Sequence, residues 1–256
     1  MNVLILGDIY GRPGRRIVAE YLPELVEQYK PVLIVANGEN AAGGFGLTRK
    51  VAEELFALGI HVLTSGNHIW DQKEMYAYIG EDPRILRPAN YPPQVPGNSV
   101  YLHRCQGAVV AVVSLMGRAF MGDYDCPFRT ADQILASLPP EVTHVIIDFH
   151  GEATSEKIAL AHYLDGRVSA VVGTHTHVPT ADEQILPQGT AYITDLGMCG
   201  PIHSVLGVDP QIVINKFLTQ LPARFAVAKG PAALNGVVIS LTENGLAEGI
   251  LRLNLQ

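Results

Sequence analysis

Five short apolar runs in this chain each stop at a residue able to donate to a metal ion, and that repetition constrains the fold more than any other feature. Val3–Leu6 ends at Gly7-Asp8, and Val32–Ala36 at Asn37-Gly38-Glu39-Asn40. His61–Thr64 ends at Ser65-Gly66-Asn67-His68, Val145–Phe149 at His150-Gly151, and Val168–Val172 at Gly173-Thr174-His175-Thr176-His177. Short β-branched runs bounded by turn residues read as buried strands. Helical patterns separate them over Pro13–Tyr29, Thr48–Leu58 and Ser155–Leu164, with Thr48 as a cap, Gly59 as a stop and Pro23 expected to kink or divide the first helix. Alternating β and α units predict an α/β layered fold, and residues 1–256 read as a single domain. In open sheets of this kind ligands bind beyond the carboxyl ends of the strands. Residues distant in sequence therefore meet there.

The remaining segments add hairpins and so make the sheets mixed. Gln72–Tyr78 reads as a short helix, and Glu81–Gly97, with five prolines, as irregular connection. Val100–His103 and Val109–Met116 flank Gln106-Gly107 as a hairpin. The tail predicts strands near Ala191–Thr194, Gly236–Thr242 and Gly249–Leu253, and an apolar helix from Gln211 to about Leu221 that is a candidate interface for a homo-oligomer.

Composition narrows the function. A 48% hydrophobic and 17% charged chain of 256 residues has enough apolar surface to bury a core. Its 18 basic against 25 acidic residues leave a charge of −7, which disfavours long nucleic acid because phosphate neutralisation needs surplus Lys and Arg. No apolar run approaches the roughly 20 residues of a membrane span. Three scattered cysteines (Cys105, Cys126, Cys199) suggest neither a disulfide framework nor a thiolate zinc site. The expectation is a cytoplasmic protein without a membrane partner.

The strand-end residues offer oxygen and imidazole donors and no thiolate, a set that suits Mn, Fe or Zn. His175 and His177, one residue apart, both face one site if the backbone there is extended. Arg12 and Arg15 flank a helix start, where backbone amides favour anions; a phosphate contact and a solvated first turn are both open. His203, beside Gly200 and Pro201, is a candidate for the mouth of the site. Gly43-Gly44-Phe45-Gly46 lacks the Lys-Ser/Thr of a P-loop, and Gly7, Gly11 and Gly14 do not keep the dinucleotide spacing.

Taken in order, Gly7-Asp8, Gly38-Glu39-Asn40, Gly66-Asn67-His68 and Gly173-Thr174-His175-Thr176-His177 resemble the motifs of calcineurin-like metallophosphoesterases. The likeness is greater to the YmdB-like branch, whose hallmarks appear as Gly7–Arg15, Asn37–Gly44, Thr64–Asp71, Asp148–Lys157 and Thr194–Pro201. It runs from Val3 to about Gly207. The resemblance implies a four-layered β-sandwich flanked by helices and a two-metal site. Asp8, Glu39, Asn40 and His177 would hold one ion, and Glu39, Asn67, His150 and His175 the other, with Glu39 bridging. Iron or manganese is expected, with zinc or magnesium as alternatives. The sequence departs from the wider superfamily where Asp-x-His is Asp8-Ile9-Tyr10 and where the bridging Asp is Glu39.

The activity this implies is a phosphodiesterase acting on small nucleotides, 2′,3′-cyclic ones by resemblance. A metal-bridging hydroxide would attack phosphorus, and His68, adjacent to a ligand but not spent as one, would protonate the leaving ribose oxygen. Tyr10, Arg12, Arg15 and His203 are the candidate substrate contacts. Another phosphoesterase activity on the same metals, and a non-enzymatic metal-binding regulator, are the alternatives.

Overall fold

The apolar runs become the strands of two six-stranded sheets. The structure is a computed structural model describing residues 1–105 and 107–256; Gln106, which the sequence places in a hairpin turn, lies outside them. The first sheet has the order β12 (Ala247–Leu255), β11 (Ala232–Leu241), β10 (Met198–Pro201), β1 (Asn2–Ile9), β2 (Leu33–Asn37), β3 (Val62–Thr64). The second has the order β4 (Val100–Cys105), β5 (Ala108–Met116), β6 (Val142–His150), β7 (Ala170–Thr174), β9 (Ala191–Ile193), β8 (Gln184–Ile185). β1, β2 and β3 are mutually parallel, as are β5, β6, β7 and β9, while β11 runs antiparallel to β1.

Alternation along each strand divides the core into layers. Val3 and Ile5 of β1 pack with Val110, Val112, Ile146 and Val172 of the second sheet. Leu4 and Leu6 of the same strand face the other way, onto Ile17, Val18 and Leu22 of α1 (Gly11–Tyr29) and Leu55 of α2 (Arg49–Ala57). Ala111, Val113 and Ile147 pack outward beside Ala131 of α4 (Pro127–Ser137) and Leu160 and Leu164 of α5 (Thr154–Leu164). The result is helix, sheet, sheet, helix. α3 (Met75–Tyr78) and α6 (Pro210–Thr219) complete the helices among the described residues.

Several local expectations are corrected. α1 begins at Gly11 rather than at about Pro13 and is not divided at Pro23, because Leu22 and Leu25 on either side stay buried and their packing outweighs one lost backbone bond. Thr48 does cap α2, accepting from the Val51 amide at 3.3 Å. α4, β8 and β10 have no counterpart in the sequence reading. β10 is four residues ending in Gly200-Pro201, held by pairing with β1 and β11 rather than by its own propensity. α6 buries only Val213 and leaves Ile214, Phe217 and Leu218 exposed, with Leu221 beyond its end exposed too. No described helix is long and apolar enough to cross a membrane.

Candidate metal centre

The carboxyl ends of β1, β2, β3, β6 and β7 converge at one edge of the sandwich and bring all seven predicted donors there. Glu39 Oε1, Asn67 Oδ1 and His175 Nδ1 lie 3.0, 3.1 and 3.0 Å from His150 Nε2. Glu39, His150 and His175 form the cluster of metal-binding type among the described residues. Beside it, Asn40 Oδ1 is 3.2 Å and Asp8 Oδ1 3.8 Å from His177 Nε2. Gly66 makes room for this: a Cβ there would stand 2.0 Å from the His150 ring.

Three observations bear on whether the residues suit a metal. Asp8 is fully buried and its Oδ1 has no hydrogen-bond partner, an arrangement that calls for a cation. Burial raises the Asp8 carboxyl well above its ordinary range, an effect that His150 opposes and the neighbouring acids reinforce. Each imidazole also has its outer nitrogen occupied. His150 Nδ1 is 3.0 Å from Thr174 Oγ1, which donates to Asp148; His175 Nε2 is 3.1 Å from Glu152; and His177 Nδ1 donates to the Leu206 carbonyl at 3.0 Å. Such outer partners fix the tautomer that leaves the inner nitrogen free to bind a metal. The donors fit the group.

The electrostatics agree. Burial alone would raise Glu39, but the charge and hydrogen bond of His150 outweigh it and bring the carboxyl down to about 2. Burial would likewise lower His150, yet Glu39 and Asp8 raise it to about 9, so an imidazolium stands among the acids in the metal-free protein. A cation held there would supply that positive charge instead. Burial first, then His150, lowers His175 to about 3, and burial lowers His177. Both shifts favour the neutral imidazole, the form in which histidine binds a metal.

One prediction about geometry is corrected. His175 and His177 do reach the same centre, but not from an extended strand. β7 ends at Thr174, and the two histidines have φ of +101° and +64°. Side-chain-bearing residues seldom adopt such angles, and a Thr-His-Thr-His sequence gives no warning of them.

His68 sits at the rim with its side chain 31% exposed; its amide donates to Glu39 Oε2 at 3.1 Å and its Nδ1 is 2.8 Å from Asp71. The other candidates differ in how available they are. Tyr10 is buried, its phenol raised to about 12 by that burial, and its ring meets His177 edge-on at 5.4 Å. Arg15 is engaged by Glu54 at 3.0 Å and the Ala41 carbonyl at 2.6 Å, so it ties α1 to α2 and the Glu39 loop. Arg12 is exposed beside Arg16 in a shallow hollow against Val227–Gly230, and His203 is exposed on the loop after β10. Sequence reasoning gave no role to Asp71, Glu152 or Thr174. Asp148 had a usable signal, since it lies two residues before His150 on one strand and so shares its face.

The profile of the YmdB-like protein family matches residues 4–253. The chain is 49% identical over 243 residues to the 2′,3′-cyclic-nucleotide 2′-phosphodiesterase of Bacillus subtilis (strain 168), covering 95% of this chain and 92% of that one. A crystal structure of a hypothetical protein from Thermus thermophilus superposes with a TM-score of 0.94 at 43% identity, covering 99% of this chain and 98% of that one. A crystal structure of a novel phosphatase from Mycoplasma pneumoniae also gives 0.94, at 34% identity over 100% of this chain and 93% of that one. Fold, motif order and likeness along almost the whole length agree, and this chain belongs to the YmdB-like family.

Proposed function

We propose that the chain is a two-metal phosphodiesterase of small nucleotides, with 2′,3′-cyclic nucleotides as its substrates and residues 1–256 acting as one domain. The hydrolase class follows from homology, since the relatives are named phosphodiesterase or phosphatase. The observation that carries the metal reading is the set of three imidazoles, each with its outer nitrogen partnered and its inner one turned into the cluster of Asp8, Glu39, Asn40 and Asn67.

Asp8, Glu39, Asn40 and His177 would hold one ion, and Glu39, Asn67, His150 and His175 the other, which makes Glu39 the shared ligand. Mixed oxygen and imidazole donors without thiolate favour iron or manganese. Bound there, such ions supply Lewis-acid chemistry, polarising a phosphoryl oxygen and activating water at neutral pH. The chain's own contribution to proton transfer is His68. With Nδ1 held by Asp71, its Nε2 is the nitrogen left to hold a proton for the departing ribose oxygen. The carboxylate fixes the ring. Tyr10 acts as a wall behind His177, and Arg12 is the guanidinium of the three candidate cations left for a phosphate at the rim, with His203 further out. The charge of −7 agrees with short substrates rather than long nucleic acid.

The test is turnover on a panel of cyclic phosphodiesters, linear phosphodiesters and phosphomonoesters, with metal content measured on the same sample. The expected result is close to two first-row transition ions per chain and fastest turnover on a 2′,3′-cyclic mononucleotide. The phosphatase name of the Mycoplasma pneumoniae structure supports a monoesterase as the second reading, which monoester turnover exceeding cyclic diester turnover would establish. Metal-loaded protein inert on the whole panel would overturn both.

A further inference from the structure

α5 buries a stripe at helical spacing made of Lys157, Leu160, Ala161 and Leu164, and a lysine occupies the position where an apolar residue belongs. Lys157 is 0% exposed. Its Nζ donates to the Thr174 carbonyl at 2.8 Å and to Asp195 Oδ2 at 2.7 Å. The same carboxylate oxygen accepts from the Thr176 amide at 3.1 Å. The peptide groups on either side of His175 are therefore both tied to one interior ion pair.

The tie extends to the first sheet. Asp195 Oδ1 accepts from the Gly197 amide at 2.8 Å, and the Gly197 carbonyl accepts from the Asp8 amide at 3.1 Å. Space around the pair is closed: a Cβ at Gly173 would stand 1.8 Å from the Thr194 carbonyl oxygen and 3.0 Å from the Lys157 stem. A buried ion pair adds little net stability on average, because desolvation offsets the attraction. What this pair does hold is a turn with φ of +101° at His175 and +64° at His177, angles that persist only where the surroundings over-determine them.

We propose that Lys157 and Asp195 are positioning residues whose ion pair clamps the His175–His177 turn in its left-handed form and thereby sets the metal affinity of the centre. The proposal rests on reading His175 and His177 as ligands. Neither clamp residue is among the proposed ligands; both act through backbone groups.

The test compares the parent with Lys157→Met and with Lys157→Met/Asp195→Asn, the second removing both charges while keeping an oxygen for the backbone amides. The readouts are thermal midpoint, Mn²⁺ affinity by competition with a chelator, and a crystal structure of the metal-free double variant. The expected result for the double variant is a midpoint within a few degrees of the parent, Mn²⁺ affinity lower by roughly 10–100-fold, and His175 relaxed to negative φ; Lys157→Met alone, which leaves Asp195 buried without its partner, should melt well below both. Parental affinity or a retained left-handed His175 in the double variant overturns the clamp. So does failure of the double variant to fold, which would assign the pair to stability alone. His175→Ala separates the two levels: if it binds Mn²⁺ like the parent, the ligand reading fails and the clamp falls with it. If it loses Mn²⁺ while the double variant does not, only the clamp fails.

Discussion

The first sheet brings only oxygen donors to the centre and the second brings only imidazoles. Asp8 lies near the end of β1, and Glu39, Asn40 and Asn67 follow β2 and β3, all on backbone of ordinary, negative φ; His175 and His177 follow β7 on backbone that is not. Short side chains reach the centre directly from loops that run on into helices or turns. The imidazoles of the β7 loop arrive by reversing the chain, and need outer partners on Glu152 and Leu206 to set their rings. Strand direction places the first-sheet residues and His150, whereas His175 and His177 are placed by strain that their surroundings must hold.

Glu39 joins the halves, since its carboxylate touches both His150 and the His68 amide. Glu39→Gln should lower metal occupancy at both positions and cost more turnover than the roughly 10²–10⁴-fold a general acid supplies. Asp8→Asn should empty mainly one position. Full occupancy in Glu39→Gln, measured by metal analysis, would break the picture of two halves sharing one ligand.

His68→Asn comes next. It should keep its metals and lose roughly 10²–10⁴-fold in turnover on a cyclic nucleotide. The loss should shrink on a nitrophenyl ester, whose leaving group needs no proton. Metal loss in proportion to activity would move His68 into the oxygen-bearing half as a further ligand and leave the acid to be sought at His203.

How far the two halves were readable in advance differs between them. Apolar runs that stop at Asp8, Glu39 and Asn67 announce the strands and the candidate donors at their ends, so the α/β layering and the place of the site were legible. Left-handed φ at His175 was not, because no glycine or asparagine marks it and its cause, Lys157 with Asp195, lies in other elements. Arg15 read as an anion contact because its helix start was visible and its partner Glu54, on another helix, was not. α4 was missed behind Cys126-Pro127, and β10 because Gly200-Pro201 has little strand propensity of its own.

Glu152 sharpens the strained half more gently. Glu152→Gln keeps the shape but removes the charge facing His175, and metal affinity should fall by roughly 10-fold, the low end for an outer partner, because Glu152 is half exposed. An unchanged chelator competition curve would show that the ring is set without it.

The smallest effect belongs to the relaxed half. Arg15→Met should leave KM for a cyclic nucleotide unchanged and cost about 1 kcal/mol of stability in denaturant unfolding, since the partner Glu54 is itself 46% exposed. A several-fold rise in KM at unchanged stability would restore Arg15 as a substrate contact.

The placement of β1 between β2 and β11 carries a consequence in time. Asn2–Leu6 pair with Gly236–Ser240, so the strand that carries Asp8 is made more than about 200 residues ahead of that partner. At roughly 5–20 residues per second on a ribosome, that edge stays open for on the order of ten seconds or more. Until then a flat row of unpaired amides and carbonyls faces solvent beside Val3 and Ile5, an invitation to strand addition by any neighbour. Newborn chains should therefore depend on whatever shields that edge during synthesis, until β11 arrives to cover it.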